Sequence, residues 1–417
     1  MEQLFDIFFN LSRCAIRGVE ADRGRLETLS ESDWASLAEM AAKTGTTSLL
    51  YPVLAKYEGQ HDKNNEALAG WKNQARYSVL RQMEMHRAAY AICAESERRG
   101  LSPVFFKGVI LADLYPHYSQ RRSIDIDILV SEGEKEDTIQ MLEAMGYVQN
   151  HARSIKHVQV LSSTNPVSTI ELHTRLWEDY EGKKIGILES LDLASQEGLV
   201  RVRACGLDVL TLEPGRHLAY QMFHIVKHFM LDGVGMRYLI DITLFIEKYK
   251  EQIDFNVFWN NMEALSYERF AKQFINLCKF CMGLDTNGIN LGDSVLDNDT
   301  ISLLADIMHG ATIGKDIYRW QILGVMTPYF VGEKKISKTS FIRKFDAIFL
   351  RREDLTAPFE YAKKHRVLLP VAWVHRGVGY ALRYFRYRKN FYGASAKLNI
   401  IENRLDLMNR MGLVDEK

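Results

Sequence analysis

Apolar residues recur every three or four positions through the first hundred residues, as in Leu4, Ile7, Phe8 and Leu11, then Leu37, Met40 and Ala41. That period predicts amphipathic helices over about 4–99, with Arg81–Arg98 as one long helix stopped at Arg99-Gly100. At Leu101 the pattern shortens. Six β-rich runs follow, separated by glycine and polar turns: Val104–Phe106, Ile124–Val130, Gly146–Gln149, His157–Leu161, Ser168–Leu172 and Leu199–Leu212. Helical stretches at about 108–115 and 132–145 lie between the early runs, so the middle block reads as an α+β or α/β unit. After Glu213-Pro214 the helical period returns and holds to the end, with interruptions near Gly310–Gly314 and Gly332–Lys335. Four regions are expected: a helical 1–100, a mixed core over 101–211, a helical 212–300 and a helical 301–417.

The composition adds exclusions. With 47% hydrophobic and 25% charged residues and 8 prolines in 417, the chain has the make-up of a folded protein and not of a disordered one. Its 53 basic residues equal its 53 acidic ones. This argues against a chain held on nucleic acid by overall charge, and no stable nucleic-acid partner is expected. The charge is nevertheless uneven: residues 301–417 hold 21 Lys+Arg and 11 Asp+Glu, leaving 32 against 42 in the first 300. No apolar run approaches the ~20 residues that cross a bilayer. Glu2 and Asp6 stand where a secretory leader would be basic, and five scattered cysteines fit reduced thiols, so a cytoplasmic location is expected.

The stretch richest in chemistry is Phe105-Phe106-Lys107-Gly108-Val109 followed by Arg122-Ser123-Ile124-Asp125-Ile126-Asp127-Ile128-Leu129-Val130. Side chains alternate faces along a strand, so Asp125 and Asp127 share one face and Ile124, Ile126 and Ile128 the other, with Val130 also expected in the core. Like charges so close repel unless a cation lies between them, and Mg²⁺ favours carboxylate oxygens together with phosphates. Ser168–His173 is a second alternating run, with Glu171 opposite Ile170 and Leu172. If it lies beside the first, Glu171 completes a three-carboxylate site able to hold two divalent ions. Lys107-Gly108 ends one strand and opens a helix, where free N–H groups and the lysine charge favour a triphosphate.

These residues resemble the polymerase-β-like nucleotidyltransferase superfamily. More specifically, Phe106-Lys107-Gly108, Leu114-Tyr115-Pro116, Arg122, Asp125–Val130 and Ile170–His173 are similar to an uncharacterised nucleotidyltransferase family. His224-Ile225-Val226-Lys227-His228 and Arg237–Ile242 extend the resemblance over about 100–250. The resemblance implies an α+β fold, a small mixed-sheet nucleotidyltransferase core embedded in helical N- and C-terminal regions, with 212–300 closing the cleft. It implies Mg²⁺, as two ions, with Mn²⁺ as a substitute, held by Asp125, Asp127 and Glu171, one of which acts as base. The substrates would be an NTP and an unknown hydroxyl acceptor, on a small molecule, a protein or an RNA. Lys107, Gly108, Arg122, Ser123, His173, His224, Lys227 and His228 would contact the nucleotide. In the broader superfamily Ser or Gly usually follows the helix-opening glycine, whereas Val109 does here.

Each signal has a plainer reading. Arg122 binds phosphate or pairs with Asp125. His173 orients substrate or is a structural histidine. His224 and His228 are four apart on one helix face, but Ile225 stands where a zinc protease needs Glu. Arg237 and Asp241, also four apart, suit a helix-surface ion pair. Cys278-Lys279-Phe280-Cys281 reads as buried helix thiols. Tyr380–Lys389 interleaves aromatic and basic residues, which suits a packed amphipathic helix, an RNA or an anionic membrane surface. Two further functions therefore stand beside the enzyme: an inactive nucleotide- or partner-binding protein, and an RNA-binding protein that uses the basic C-terminal region.

Overall fold

In a computed structural model, the described residues are 2–56, 65–151, 153–155, 157–177, 184–231, 233–292, 296–312, 361–375, 378, 404 and 406–413. The chain divides into two compact units, Met1–Phe229 with Gly233–Asp316, and Met230–Asp232 with Ile317–Lys417. In the second unit, Ala362 and Ala372 are buried against Tyr361, Leu368 and Leu369. The basic segment Tyr380–Lys389 and the expected interruption at Gly332–Lys335 lie outside the described residues.

The first unit is α+β. Its N-terminal helices are α1 (Glu2–Arg17), α2 (Arg23–Glu27), α3 (Glu31–Thr44), α4 (Thr47–Ala55) and α5 (Asn65–Arg99). Local chemistry sets their ends. Ser30 and Asp33 form a reciprocal capping box at the start of α3, and Gly45 ends it at φ 72°. The 35-residue α5 stops at Gly100, whose φ of 70° is open to glycine and strained for other residues.

Next come β1 (Val104–Phe105), α6 (Gly108–Ala112), β2 (Ile126–Leu129), α7 (Lys135–Ala144), β3 (Val148–Gln149), β4 (Val158–Thr164) and β5 (Val167–His173). They are followed by α8 (Ile185–Ser190), β6 (Leu199–Ala204) and β7 (Leu207–Leu212). The expected single run Leu199–Leu212 is thus a hairpin. Cys205 and Gly206, at φ 51° and 80°, make the two-residue turn that the right-handed strand twist favours. The cue was the lone glycine inside an apolar run.

The seven strands form one mixed sheet in the order β3-β4-β5-β2-β1-β7-β6. β2 runs parallel to β5, β1 parallel to β7, and the remaining pairs are antiparallel. One face is apolar: Phe105, Ile126, Ile128, Ile170, Leu172 and Val209 pack with Met85, Ala88, Ala89 and Ile92 of α5 and with Ile139 and Leu142 of α7. Burying each large aliphatic side chain there contributes ~1.5–3 kcal/mol, which anchors β2 and β5 from below. Ile124 is the exception. It precedes the strand and is 65% exposed, because pairing to β5 begins only at Ile126.

The chain continues with α9 (Pro214–Leu231), α10 (Arg237–Tyr249), α11 (Phe255–Ala264), α12 (Glu268–Leu277), a π-helical turn (Cys278–Met282) and α13 (Asn298–Thr312). Pro214 opens α9, and the Glu213 carboxylate accepts from the Gly215 and Arg216 N–H groups at 2.9 and 3.1 Å. Cys278 and Cys281 are buried free thiols, as their helical setting predicts, and burial pushes Cys281 up to about 12. Among the described residues, no helix is long and apolar enough to cross a membrane.

Candidate active site

The register of the two central strands builds the site. Asp127 of β2 lies directly beside Glu171 of β5, and Leu129 beside His173. In a parallel pair such neighbours point to the same face, so Asp127, Glu171 and His173 rise from the sheet opposite the aliphatic core. One ligand atom from each of these three lies within 4.8 Å of the others. Asp125 sits two residues before Asp127, just ahead of β2, close enough for its charge to act on Glu171.

The approach to β2 is held from two sides. From α5, Gln82 clamps the Ser123 backbone, with Oε1 accepting its N–H at 3.0 Å and Nε2 donating to its carbonyl at 2.9 Å. From α10, Asp241 takes two hydrogen bonds from Arg121, 2.8 Å from Nε and 2.9 Å from Nη2, and a third from the Tyr115 hydroxyl at 2.8 Å. The same guanidinium reaches Ser123 Oγ at 3.4 Å and the Gly108 carbonyl at 3.5 Å. Gly108 lies against this segment: an added Cβ would be in ordinary contact with Ser123 Oγ at 3.4 Å and the Asp125 carbonyl at 3.6 Å.

These contacts correct two expectations. Asp241 does not form a helix-surface pair with Arg237: it is buried, and its partner is Arg121. Arg237 donates instead to the Arg122 carbonyl. Arg122 itself is exposed, with its side chain over Gly45, where an added Cβ would lie 3.3 Å from Arg122 Cδ. The charges acting on Asp125 come from Asp127, Lys107, Arg237 and Arg121. A bidentate carboxylate partner 120 residues away leaves no local signal.

Lys107 lies at the centre. Its Nζ is 2.7 Å from Asp127 Oδ1, and it sits over the Phe106 and Tyr220 rings at 5.3 and 5.6 Å. Its backbone has φ 54° and ψ −106°, a region costly for a residue with a Cβ, and its N–H donates to His217 Nε2 at 3.3 Å. The helix it opens, α6, has only five residues, so little helix dipole builds up behind Gly108.

Burial and neighbouring charge set the protonation. Burial disfavours the Asp127 carboxylate, but the Lys107 charge and His173 outweigh it and hold that carboxyl well below the usual range. Burial, then the Asp127 charge, raises Asp125 to about 6. Burial, then Asp125 and Asp127, raises Glu171 to about 7. Burial keeps His173 below its usual value, and burial with the Lys107 charge drives His217 down to about 3.

α9 covers this face. Tyr220 meets Phe106 edge to face at 5.2 Å, and Trp177 leans on Tyr220 and Phe223. His224 stacks on Tyr220, and its Nε2 is 3.0 Å from His228 Nε2. Burial holds His224 well below its usual value, so it is neutral. Lys227 is close enough for its charge to act on Glu171 and His173. Of the expected residues, Lys107, Gly108, Ser123, Asp125, Asp127, Glu171 and His173 are therefore neighbours, His224, Lys227 and His228 line the covering helix, and Arg122 points away.

The donor set suits a divalent cation. Asp127 and Glu171 offer hard oxygens and His173 an imidazole nitrogen, a combination open to Mg²⁺ through the carboxylates and to Mn²⁺ through all three. His173 Nε2 is buried, 3.4 Å from Asp127 Oδ1 and 3.9 Å from Glu171 Oε2.

A model of the family described as "Uncharacterised nucleotidyltransferase" matches residues 30–283. The chain belongs to this family. The match runs from the N-terminal helices through the sheet to the π-helical turn, well beyond the motif-bearing 100–250. No curated protein and no solved structure matches the chain. Membership in this nucleotidyltransferase family implies a nucleotide substrate.

Proposed function

We propose that the chain is a Mg²⁺-dependent nucleotidyltransferase that moves a nucleoside monophosphate from an NTP to a hydroxyl acceptor and releases pyrophosphate. The observation that carries this reading is the convergence of Asp127, Glu171 and His173 on one sheet face, with Asp125 just ahead of β2, in a chain of this family. Asp125, Asp127 and Glu171 would hold the metal, with Mn²⁺ as an alternative. Bound there, the ion would supply charge neutralisation for the phosphates.

The rest falls to the chain's own residues. The acceptor oxygen bonds to the α-phosphorus as the bond to the β-phosphate oxygen breaks, and pyrophosphate leaves with that electron pair. The hydroxyl proton passes to one of the site carboxylates. Lys227 lies on the covering helix, where its ammonium can meet a phosphate. Neutral His224 and its neighbour His228 can contribute hydrogen bonds but, in the case of His224, no charge. Phe106, Tyr220 and Trp177 form an apolar wall that keeps water from the reacting phosphate. In this reading residues 101–211 are the catalytic core and 212–300 close one side of the cleft.

The test is pyrophosphate release from NTPs over a mixed metabolite and protein extract, comparing wild type with Asp125→Asn/Asp127→Asn. Release by wild type and its loss in the variant are expected. Equal signals from the two would overturn the proposal.

A further inference from the structure

Two divalent ions at a nucleotidyl-transfer site lie about 3.5–4 Å apart. Asp127, between Asp125 along the chain and Glu171 across the sheet, is the carboxylate both ions would have to share. Its Oδ1 is already taken. Lys107 Nζ lies on it at 2.7 Å, and His173 Nε2 approaches the same atom at 3.4 Å.

We propose that the Lys107 ammonium stands in for one of the two cations, so that the carboxylate face takes a single divalent ion in its nucleotide complex. The inference rests on the reading of this face as the metal site, and it replaces the two-ion expectation drawn from resemblance.

Two observations fix where Lys107 sits. Its side chain is 14% exposed, with Nζ over both the Phe106 and Tyr220 rings, whose faces favour a cation. Its backbone, at φ 54°, donates to His217 and opens α6, which sets where the stem leaves the chain. Charge points the same way: the ammonium already offsets one carboxylate charge on this face. A second ion would have to enter beside the Lys107 ammonium, which lies 2.7 Å from Asp127 Oδ1.

The readout is metal count, not turnover. Mn²⁺ and a non-hydrolysable NTP analogue are added to the full chain, and electron paramagnetic resonance counts the bound ions and detects exchange coupling between close pairs. Wild type should hold one uncoupled Mn²⁺ per chain. Lys107→Met, which keeps the stem and removes the charge, should hold two with a coupled-pair spectrum. A coupled pair in wild type overturns the inference and leaves the metal-site reading standing; this measurement needs no variant to fold. A folded Lys107→Met that still holds one ion also overturns it. No bound Mn²⁺ in wild type sinks the metal-site reading itself.

Discussion

Replacing Arg121 by methionine removes the guanidinium that pairs with the buried Asp241 carboxylate. The Arg121 and Asp241 side chains are 4% and 3% exposed, and two hydrogen bonds of 2.8 and 2.9 Å join them. Breaking such a pair from one side costs ~3–5 kcal/mol, because the remaining charge stays buried without compensation. For a unit this large, at ~2 °C per kcal/mol, the melting temperature should fall by about 6–10 °C. Asp241→Leu alone should also destabilise, since it strands the guanidinium and takes the acceptor from the Tyr115 hydroxyl. The double variant Arg121→Met/Asp241→Leu leaves neither charge exposed to this penalty. Its loss should be smaller than the sum of the singles by at least ~2 kcal/mol. Denaturant unfolding of the four proteins of the cycle measures this directly. Single losses under ~1 kcal/mol, or additive losses, would refute the claim that this pair ties α10 to the approach to β2.

The raised Glu171 and Asp125 make metal binding pH-dependent, because each must lose its proton to become a ligand. Mn²⁺ affinity should therefore rise roughly tenfold from pH 6 to pH 7.5 and flatten above, as titration calorimetry at the two pH values would show; a flat profile would contradict the assigned ligands. His217, neutral and driven down to about 3, works in the opposite range. The unfolded chain takes up its proton near 6.5 and the folded chain does not, so stability falls as pH drops from 6.5 toward 3, by ~1.4 kcal/mol per pH unit for one proton. His217→Gln should remove about one proton from that slope in denaturant titrations between pH 4.5 and 6.5, and an unchanged slope would refute it. Glu171→Gln should keep the fold, since the residue is partly exposed, yet lower nucleotidyl transfer by at least ~10²-fold in the pyrophosphate assay.

Much of this arrangement was legible from period alone. Alternation in Ile124–Val130 and Ser168–His173 put Asp127 and Glu171 each opposite its own strand's aliphatic face, and the parallel register supplies the neighbouring of the two strands that alternation left conditional. What sequence could not reach were contacts set by the fold over long separations. The partner of Asp241 is 120 residues away, so an i, i+4 neighbour, Arg237, looked the better match. The positive φ of Lys107 and its ion pair with Asp127 arise where a strand turns sharply into a short helix, and only the turn, not the pairing, is written locally. Ile124 misled for a related reason: alternation reports which face a residue would take, not where the partner strand ends.

The central claim is that Asp125, Asp127 and Glu171 form a divalent-metal site for a nucleotide. Its most direct test is a crystal structure with Mn²⁺ and a non-hydrolysable NTP, read by anomalous scattering. An anomalous peak within ligand distance of the Asp127 and Glu171 carboxylates, with triphosphate beside it, is the predicted result. A nucleotide bound elsewhere, or a carboxylate face without manganese, would contradict the account.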